Sequence, residues 1–364
     1  MIFFLFMILG ICAYKMKYST IGNYHLDYMS VEKTTSIKGI FVLLIFLSHF
    51  VQYVKLNNIF DIPYLTIRNF LGQLVVTMFL FYSGYGILES IKKKKEGYVN
   101  EIPTKRILKV LFDFDIAVLL FLILRLIIGY KYDIATIVLS FIGWKSVGNS
   151  NWYIFAVLLT YLFTFVSFKI FKNKYRMAIS CVTVLSGIYV LVMHTFKPSC
   201  WYDTIFCYVA GMWFSLYREQ IEKIVLANNI SYLLSLVILL TLFGFTYLFK
   251  HNKLIIHQVL SLLFVCLVIL VTMKVSFNNF ILNWIGKHVF SIYILQRIPM
   301  MIFKNNNIIS HNTYLYLVLC LLVTLVISPA FDKVTRKLYN MILLKISILN
   351  NHPEAYEVST SARQ

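Results

Sequence analysis

Residues 36–49 read SIKGIFVLLIFLSH, an apolar run that begins beside a lysine and ends on a histidine. Inside a lipid bilayer every backbone N–H and C=O group must be hydrogen-bonded within the chain, so a long apolar run predicts a membrane-spanning helix. Over all 364 residues, 60% are hydrophobic and only 13% are charged. A water-soluble fold cannot bury that much apolar surface, and the run therefore belongs to a membrane protein.

Ten other apolar runs show the same pattern, and a shorter one at 134–143 predicts a surface or re-entrant piece. We therefore expect an all-α fold, a polytopic transmembrane bundle of about ten or eleven helices with no soluble domain. The predicted spans are 2–14, 37–54, 69–88, 107–128, 152–171, 176–194, 202–217, 230–249, 254–273, 283–303 and 312–331.

The chain divides into three predicted parts. Residues 1–30 form a short N-terminal anchoring helix and a cytoplasmic loop, because the first apolar run has no positively charged segment before it and no small-residue cleavage site. Residues 31–331 form the membrane domain. Residues 332–364 form a basic and polar cytoplasmic tail, which we expect to be disordered from residue 351 onward.

The connections between the spans carry an uneven charge. Lys and Arg number 20 in one alternating set of connections and 8 in the other. Basic connections remain on the cytoplasmic side of a membrane, so the more basic set is predicted to be cytoplasmic. This orientation places the C-terminus in the cytoplasm, the N-terminus outside, and the chain in the plasma membrane as a multi-pass protein.

Several classes of function find no support in the sequence. The net charge of +19 does not indicate a nucleic-acid partner, because the basic residues lie in short gaps between apolar runs, where anionic membrane lipids explain them. The six cysteines are scattered without metal-ligand spacing, so we expect no metal. No nucleotide-binding, zinc-protease or serine-hydrolase motif occurs.

His49 is the main candidate for chemistry. Lys38 marks the cytoplasmic edge of its span, and eleven residues of helical rise, about 16 Å, carry His49 close to mid-membrane. An ionisable group at that depth faces a bundle interior or a water-filled cavity, and an imidazole there can take a proton from a hydroxyl and return it. The alternative is a buried histidine that is only hydrogen-bonded between helices.

Other polar residues within the spans have simpler explanations. Asp113 and Asp115 lie about two turns into their span, where either one pairs with a basic neighbour or orients an imidazole. Arg125 and Arg297 lie near external helix ends, where their side chains can extend to the membrane surface without any chemical role.

Four segments resemble, in chain order, motifs of membrane acyltransferase family 3, a family of polytopic O-acyltransferases. The similarity runs over most of the chain, but the family's Arg-Arg-x-x-Arg-Ile-x-Pro segment is here KRILKVLF at residues 105–112, with lysine at two arginine positions. The four segments are Lys38-Gly39-Ile40 followed by His49, residues 72–86 (GQLVVTMFLFYSGYG), residues 151–154 (NWYI) and residues 286–296 (GKHVFSIYILQ).

This resemblance implies transfer of an acyl group, most often acetyl, from cytoplasmic acyl-CoA to a hydroxyl of a cell-envelope glycan. Acetyl-CoA would then be the acyl donor, and a surface or capsular polysaccharide, or its lipid-linked precursor, the acceptor. His49 would be the catalytic residue, either as general base or as a transient acyl carrier.

The resemblance also implies where the two substrates bind. Packing between helices explains Ser83 and Gly84 equally well, and anchoring at the membrane interface explains Trp152 and Tyr153 equally well. The residues expected to bind the donor are Lys38, Lys105, Arg106, Lys109, Ser83 and Gly84, and those expected to bind the acceptor are Trp152, Tyr153, Tyr293 and Gln296.

The competing hypothesis is a glycan-lipid transporter or polysaccharide polymerase that performs no acyl transfer. Such a protein is also polytopic and basic on its cytoplasmic side, but it does not predict Lys38 together with His49. A polymerase more often has a large external loop with several Arg or Asp residues, and the longest predicted external connection, 129–151, is poor in both.

Overall fold

The computed structural model describes residues 1–249 and 254–351, and over these residues the chain is almost entirely helical. Two short strands, β1 (Lys17–Tyr18) and β2 (Val275–Ser276), pair antiparallel. The predicted all-α bundle is confirmed. The helices are α1 (Ile2–Ala13), α2 (Val31–Phe50), α3 (Ile62–Leu71), α4 (Thr77–Lys94), α5 (Glu96–Ile102), α6 (Lys109–Ile127), α7 (Ile134–Phe141), α8 (Trp152–Phe171), α9 (Tyr175–Phe196), α10 (Phe206–Val225), α11 (Asn229–Leu248), α12 (Leu254–Lys274), α13 (Phe280–Lys287), α14 (Val289–Leu295), α15 (Arg297–Lys304), α16 (Asn307–His311) and α17 (Thr313–Asn351).

Six helical stretches of the described chain are long and apolar enough to cross a membrane. Such lengths match the roughly 20 residues needed to span the hydrocarbon layer, so the chain is a multi-pass membrane protein. The six stretches are Ile59–Lys94, Trp152–Phe171, Tyr175–Phe196, Asn229–Leu248, Leu254–Lys274 and Thr313–Lys345.

Two predicted element boundaries differ from the structure. The span predicted at 283–303 is not one helix but three short ones, α13, α14 and α15, which are separated at His288 and Gln296. At the other end, α17 continues through the predicted boundary at 331 and 332, despite Pro329 inside it. The predicted disordered tail beyond residue 351 lies outside the described residues.

The helices differ in how much of their apolar surface meets protein. In α2, Val42, Phe46 and Leu47 are fully buried, whereas Phe243 is the one buried residue of α11. Lipid chains are as apolar as a protein core, so hydropathy alone cannot distinguish a central helix from a peripheral one. The structure places α2 at the centre of the bundle.

Glycines bring two pairs of helices into backbone contact. A Cβ atom added to Gly84 would overlap the carbonyl of Tyr208, and one added to Gly211 would overlap the carbonyl of Phe81. A Cβ atom added to Gly286 would overlap the carbonyl of Thr35. Small residues allow this close approach in membrane bundles, so α4 packs on α10 and α13 packs on α2.

We call the side of the bundle where α2 begins the lower face, and the side where it ends the upper face. Five cation–carboxylate pairs lie on the lower face: Lys33–Asp27, Lys92–Glu89, Lys105–Glu101, Lys109–Asp113 and Arg218–Glu222. On the upper face the N-terminal amine of Met1 pairs with Asp61.

Candidate active site

Lys38 and His49 lie on one face of α2. Eleven residues at 3.6 residues per turn leave the two side chains only about 20° apart around the helix axis. Both are half-buried, and the Nδ1 atom of His49 is buried without a hydrogen-bond partner. A cation and an imidazole therefore point the same way at two depths of the central helix, as a donor anion and its reactive group would require.

The ring of His49 faces a group of aromatic side chains. Its centroid lies 6.1 Å from that of Tyr293, which in turn lies 5.4 Å from that of Tyr153. Phe79 packs on Tyr153 at 6.4 Å. Beside them is a small apolar cavity of about 60 Å³, lined by Ile45, Val76, Phe79, Tyr153, Val289, Phe290 and Tyr293.

Arg297 covers this group on its upper side. Its Nε donates to Oγ of Ser150 at 2.9 Å, and its Nη2 donates to Oε1 of Gln52 at 2.8 Å. The guanidinium is close enough to act electrostatically on both His49 and Tyr293. Arg297 thus ties the end of α2 to the 142–151 connection directly above the imidazole, and its position is not that of an arginine that merely reaches the membrane surface.

At the lower end, Lys38 lies within electrostatic range of Arg106. The Nε of Arg106 donates to Oη of Tyr98 at 2.8 Å, and neither cation is paired with a carboxylate among the described residues. Two like charges that face each other without a counter-ion favour an anion between them.

A line of tyrosines joins the two ends. Tyr161 lies within electrostatic range of both Arg106 and Tyr153. The ring of Tyr153 in turn packs on that of Tyr293. Phenol groups, which offer both ring surface and hydroxyl groups, therefore lie between the lower cations and His49.

Two of the predicted donor-binding lysines form ion pairs with carboxylates of the protein. Lys109 binds both carboxylate oxygens of Asp113, at 2.5 and 2.6 Å, and Lys105 lies 2.9 Å from the carboxylate of Glu101. The bond from Lys105 lowers the pKa of Glu101, so the carboxylate is held in its charged form. Binding of donor phosphates by these lysines stays a prediction, and each lysine already has a carboxylate one helical turn away.

Ser83 and Gly84 also have internal partners. The hydroxyl of Ser83 shares a 2.7 Å hydrogen bond with that of Tyr161. Gly84 lies against the backbone of α10, which is the packing alternative of the two that the sequence left open. Donor binding by Ser83 and Gly84 stays a prediction, and Ser83 holds Tyr161 on the tyrosine line.

The predicted acceptor residues separate into two groups. Tyr153 and Tyr293 line the cavity next to His49. Trp152 does not line the cavity but packs against the cluster around Trp201 and against Tyr153, with ring centroids 5.9 Å apart. Gln296 is completely buried, and its Nε2 donates to the carbonyl of Tyr293 at 3.0 Å. Acceptor binding by any of the four stays a prediction.

The structure also shows a polar joint that sequence reasoning did not single out. His288 Nδ1 lies 2.5 Å from Oδ2 of Asp332, and the hydroxyl of Ser291 donates to the other carboxylate oxygen. His288 and Ser291 both belong to the 286–296 segment, so the signal was present in the sequence. The joint anchors α14 to α17 beside a groove of about 650 Å³ lined by Lys333, Arg336 and Lys337, among others.

The site contains no group of three potential metal ligands, and none occurs elsewhere in the described part of the chain. Its elements are an imidazole with a free nitrogen, an unpaired cation pair on one side and an arginine on the other. Such a set can bind an anionic donor, deprotonate a hydroxyl and neutralise a second anion.

A family model described as an acyltransferase domain matches residues 35–333, more than four-fifths of the chain. The chain belongs to the acyltransferase 3 family. No curated protein matches the chain, and no solved structure does. The matched range contains His49, both cation groups and the His288–Asp332 joint, so the acyltransferase domain includes the whole site.

Family membership shows a membrane acyltransferase and confirms the predicted resemblance. The competing transporter or polymerase hypothesis is not supported.

Proposed function

We propose that this acyltransferase transfers an acetyl group from acetyl-CoA to a hydroxyl of a cell-surface polysaccharide or its lipid-linked precursor, in the plasma membrane. The observation that carries the proposal is the placement of Lys38 and His49 on one face of α2, joined to Arg106 by the tyrosine line. In this proposal the lower face is cytoplasmic and the upper face is external, in agreement with the basic connections.

The donor would bind from the lower face. Lys38 and Arg106 lack carboxylate partners in the described chain, and CoA supplies phosphates that would satisfy both. Lysine contributes a point charge and arginine a planar fork, so the two side chains would contact the phosphates in different ways. The acyl end of the donor would then extend along Tyr161 and Tyr153 toward His49.

The reaction needs one base and one acid. The imidazole of His49 takes the proton of the acceptor hydroxyl while the hydroxyl oxygen forms a bond to the acyl carbon. The carbon–sulfur bond breaks, and the same proton passes from the imidazole to the departing sulfur. The products are an O-acyl ester and free CoA, and all atoms balance. A route through an acyl-imidazole has the same overall balance.

The apolar surroundings of His49 support this chemistry. Ile45, Val76 and Phe79 line the adjacent cavity, so a thioester there meets few groups that could hold a hydrolytic water. Exclusion of water protects an activated acyl group and strengthens the electrostatic contacts made to it.

The test compares ester-linked acetyl on purified envelope polysaccharide from cells that express the wild type, His49→Ala, His194→Ala or no enzyme, at matched membrane abundance. We expect His49→Ala to lower acetylation about 100-fold or more, the range expected for loss of a general base. His194, whose ring packs on Tyr202 away from the site, is the matched control and should leave acetylation unchanged.

Equal acetylation in all four samples would refute the assignment for that glycan. Loss of acetyl in both histidine variants would point to general misfolding, and the His49 role would then be rejected. Normal glycan length and yield in the His49→Ala cells would separate loss of acyl transfer from loss of glycan export.

A further inference from the structure

Several lower-face cations have carboxylate partners, whereas three half-buried arginines on the upper side have none in the part of the chain that the structure describes. Each of the five cation–carboxylate pairs named above lies on the lower face. On the upper side, Arg68, Arg125 and Arg297 have no carboxylate partner among the described residues. A half-buried guanidinium without a counter-ion is costly, so its retention beside a reaction site calls for an explanation.

Arg297 is the one of the three that lies at the site. Its two protein partners, Ser150 and Gln52, are neutral, and they use only two of its five N–H donors. It is half-buried, so the remaining donors are not sealed inside the protein. Gln52 lies three residues beyond His49, in the turn that follows α2, so its hydrogen bond holds Arg297 on the upper side of the imidazole.

Unsatisfied polar atoms surround the same position. Nδ1 of His49, Oη of Tyr293, Oε1 of Gln296 and Nδ2 of Asn149 are all buried and lack hydrogen-bond partners. Buried polar atoms are rarely left unpaired in native proteins. Asn149 and Gln296 are chain neighbours of Ser150 and Arg297, and His49 and Tyr293 lie within electrostatic range of Arg297, so the four atoms adjoin one position that suits a polar, negatively charged ligand.

We propose that the acceptor is an anionic glycan, and that Arg297 binds an oxyacid group of it, a carboxylate or a phosphate, beside the hydroxyl that receives the acyl group. This inference rests on the proposed function. A guanidinium fork matches two oxygens of such a group and fixes its direction as well as its distance. Anchoring the anion on the upper side of His49 brings a neighbouring hydroxyl to the imidazole, so Arg297 acts as a specificity-determining residue.

The test uses the enzyme purified in detergent, acetyl-CoA, and the de-O-acetylated envelope glycan in three forms. One form is untreated, one has its carboxyl groups chemically reduced to alcohols, and one has its phosphates removed. We expect one of the two treatments to lower kcat/KM for the wild type by about 10- to 100-fold, the range for loss of one charge-assisted contact. The treatment that does so identifies the anion as a carboxylate or as a phosphate.

Variants of Arg297 separate charge from structure. Arg297→Gln should lose about as much activity on untreated glycan as the wild type loses on the neutralised form, and should no longer distinguish the two. Arg297→Lys should retain a preference for the charged form. Arg125→Gln is the matched control, because Arg125 contacts the same connection through the carbonyl of Val147 at 3.4 Å and should keep the wild-type preference.

Equal transfer by the wild type to all three glycan forms would overturn the inference. So would a preference that survives Arg297→Gln. If acetyl transfer to untreated glycan does not depend on His49, the proposed function itself fails, and that result is distinct from transfer that needs His49 but ignores acceptor charge.

Discussion

Lys38 and Lys105 are both lysines near the lower face, but their surroundings give them different roles. Lys105 is exposed and paired with Glu101, whereas Lys38 is half-buried, unpaired in the described chain and close to Arg106. An exposed ion pair contributes little, while an unpaired buried cation is available to a ligand.

Lys38→Gln should therefore raise the KM for acetyl-CoA by about tenfold, equivalent to about 1.4 kcal/mol of donor binding. Steady-state kinetics in detergent, with release of the free thiol as the readout, measure this change. Lys105→Gln is the matched control and should change KM by less than about twofold. Equal effects in the two variants would contradict the distinction drawn between them.

Gly84 and Gly86 also differ in their surroundings, although they lie in the same helix. Both lie in α4, but a Cβ on Gly84 would overlap the Tyr208 carbonyl, and a Cβ on Gly86 would meet nothing within 4 Å. The close contact of α4 with α10 therefore depends on Gly84 alone of the two.

Gly84→Ala should force α4 and α10 apart and destabilise the fold by about 1–3 kcal/mol. Gly86→Ala should be neutral or stabilising by up to about 1 kcal/mol, since alanine favours a helix over glycine. Thermal unfolding in detergent measures both. If Gly84→Ala unfolds at the wild-type temperature, the two helices do not touch through this glycine.

The break between α13, α14 and α15 is also an element-scale feature. The apolar run at 283–303 predicts one span, yet the structure interrupts it at His288 and Gln296. Backbone irregularity at membrane depth is tolerated where protein or a cavity covers it. Within α14, Ser291 and Tyr293 lie about 200° apart around the helix axis, so Tyr293 faces His49 while Ser291 faces Asp332.

The orientation of the whole bundle in the membrane follows from the basic residues in the connections between the spans. The lower face carries the more basic connections, so it is expected in the cytoplasm. In a variant without native cysteines, Lys105→Cys on the lower face and Lys131→Cys on the upper face report the two sides.

A membrane-impermeant maleimide applied to intact cells should label Lys131→Cys but not Lys105→Cys, and permeabilised cells should show both labelled. Lys105 is suited to this use because its side chain is 57% exposed. Labelling of Lys105→Cys from outside would reverse the orientation, and with it the sides from which donor and acceptor enter.

Much of this protein was determined by sequence alone, for reasons of solvation. Apolar runs of about 20 residues have few stable states other than membrane helices, so the all-α polytopic class followed from composition. Likewise, a titratable His49 eleven residues from Lys38 indicated a site, because ionisable groups are costly at that depth. The family motifs then indicated the reaction class.

Only the tertiary structure decided which polar residues are free to act. Hydropathy is the same for a helix in lipid and a helix in the core, so the central position of α2 was not readable from its residues. Whether a cation can bind a ligand depends on whether folding brings a carboxylate partner to it. The pairs Lys109–Asp113 and Lys105–Glu101 follow from i,i+4 spacing on a helix. The tertiary structure leaves Lys38 and Arg106 unpaired among the described residues and brings Arg297 to the upper side of His49.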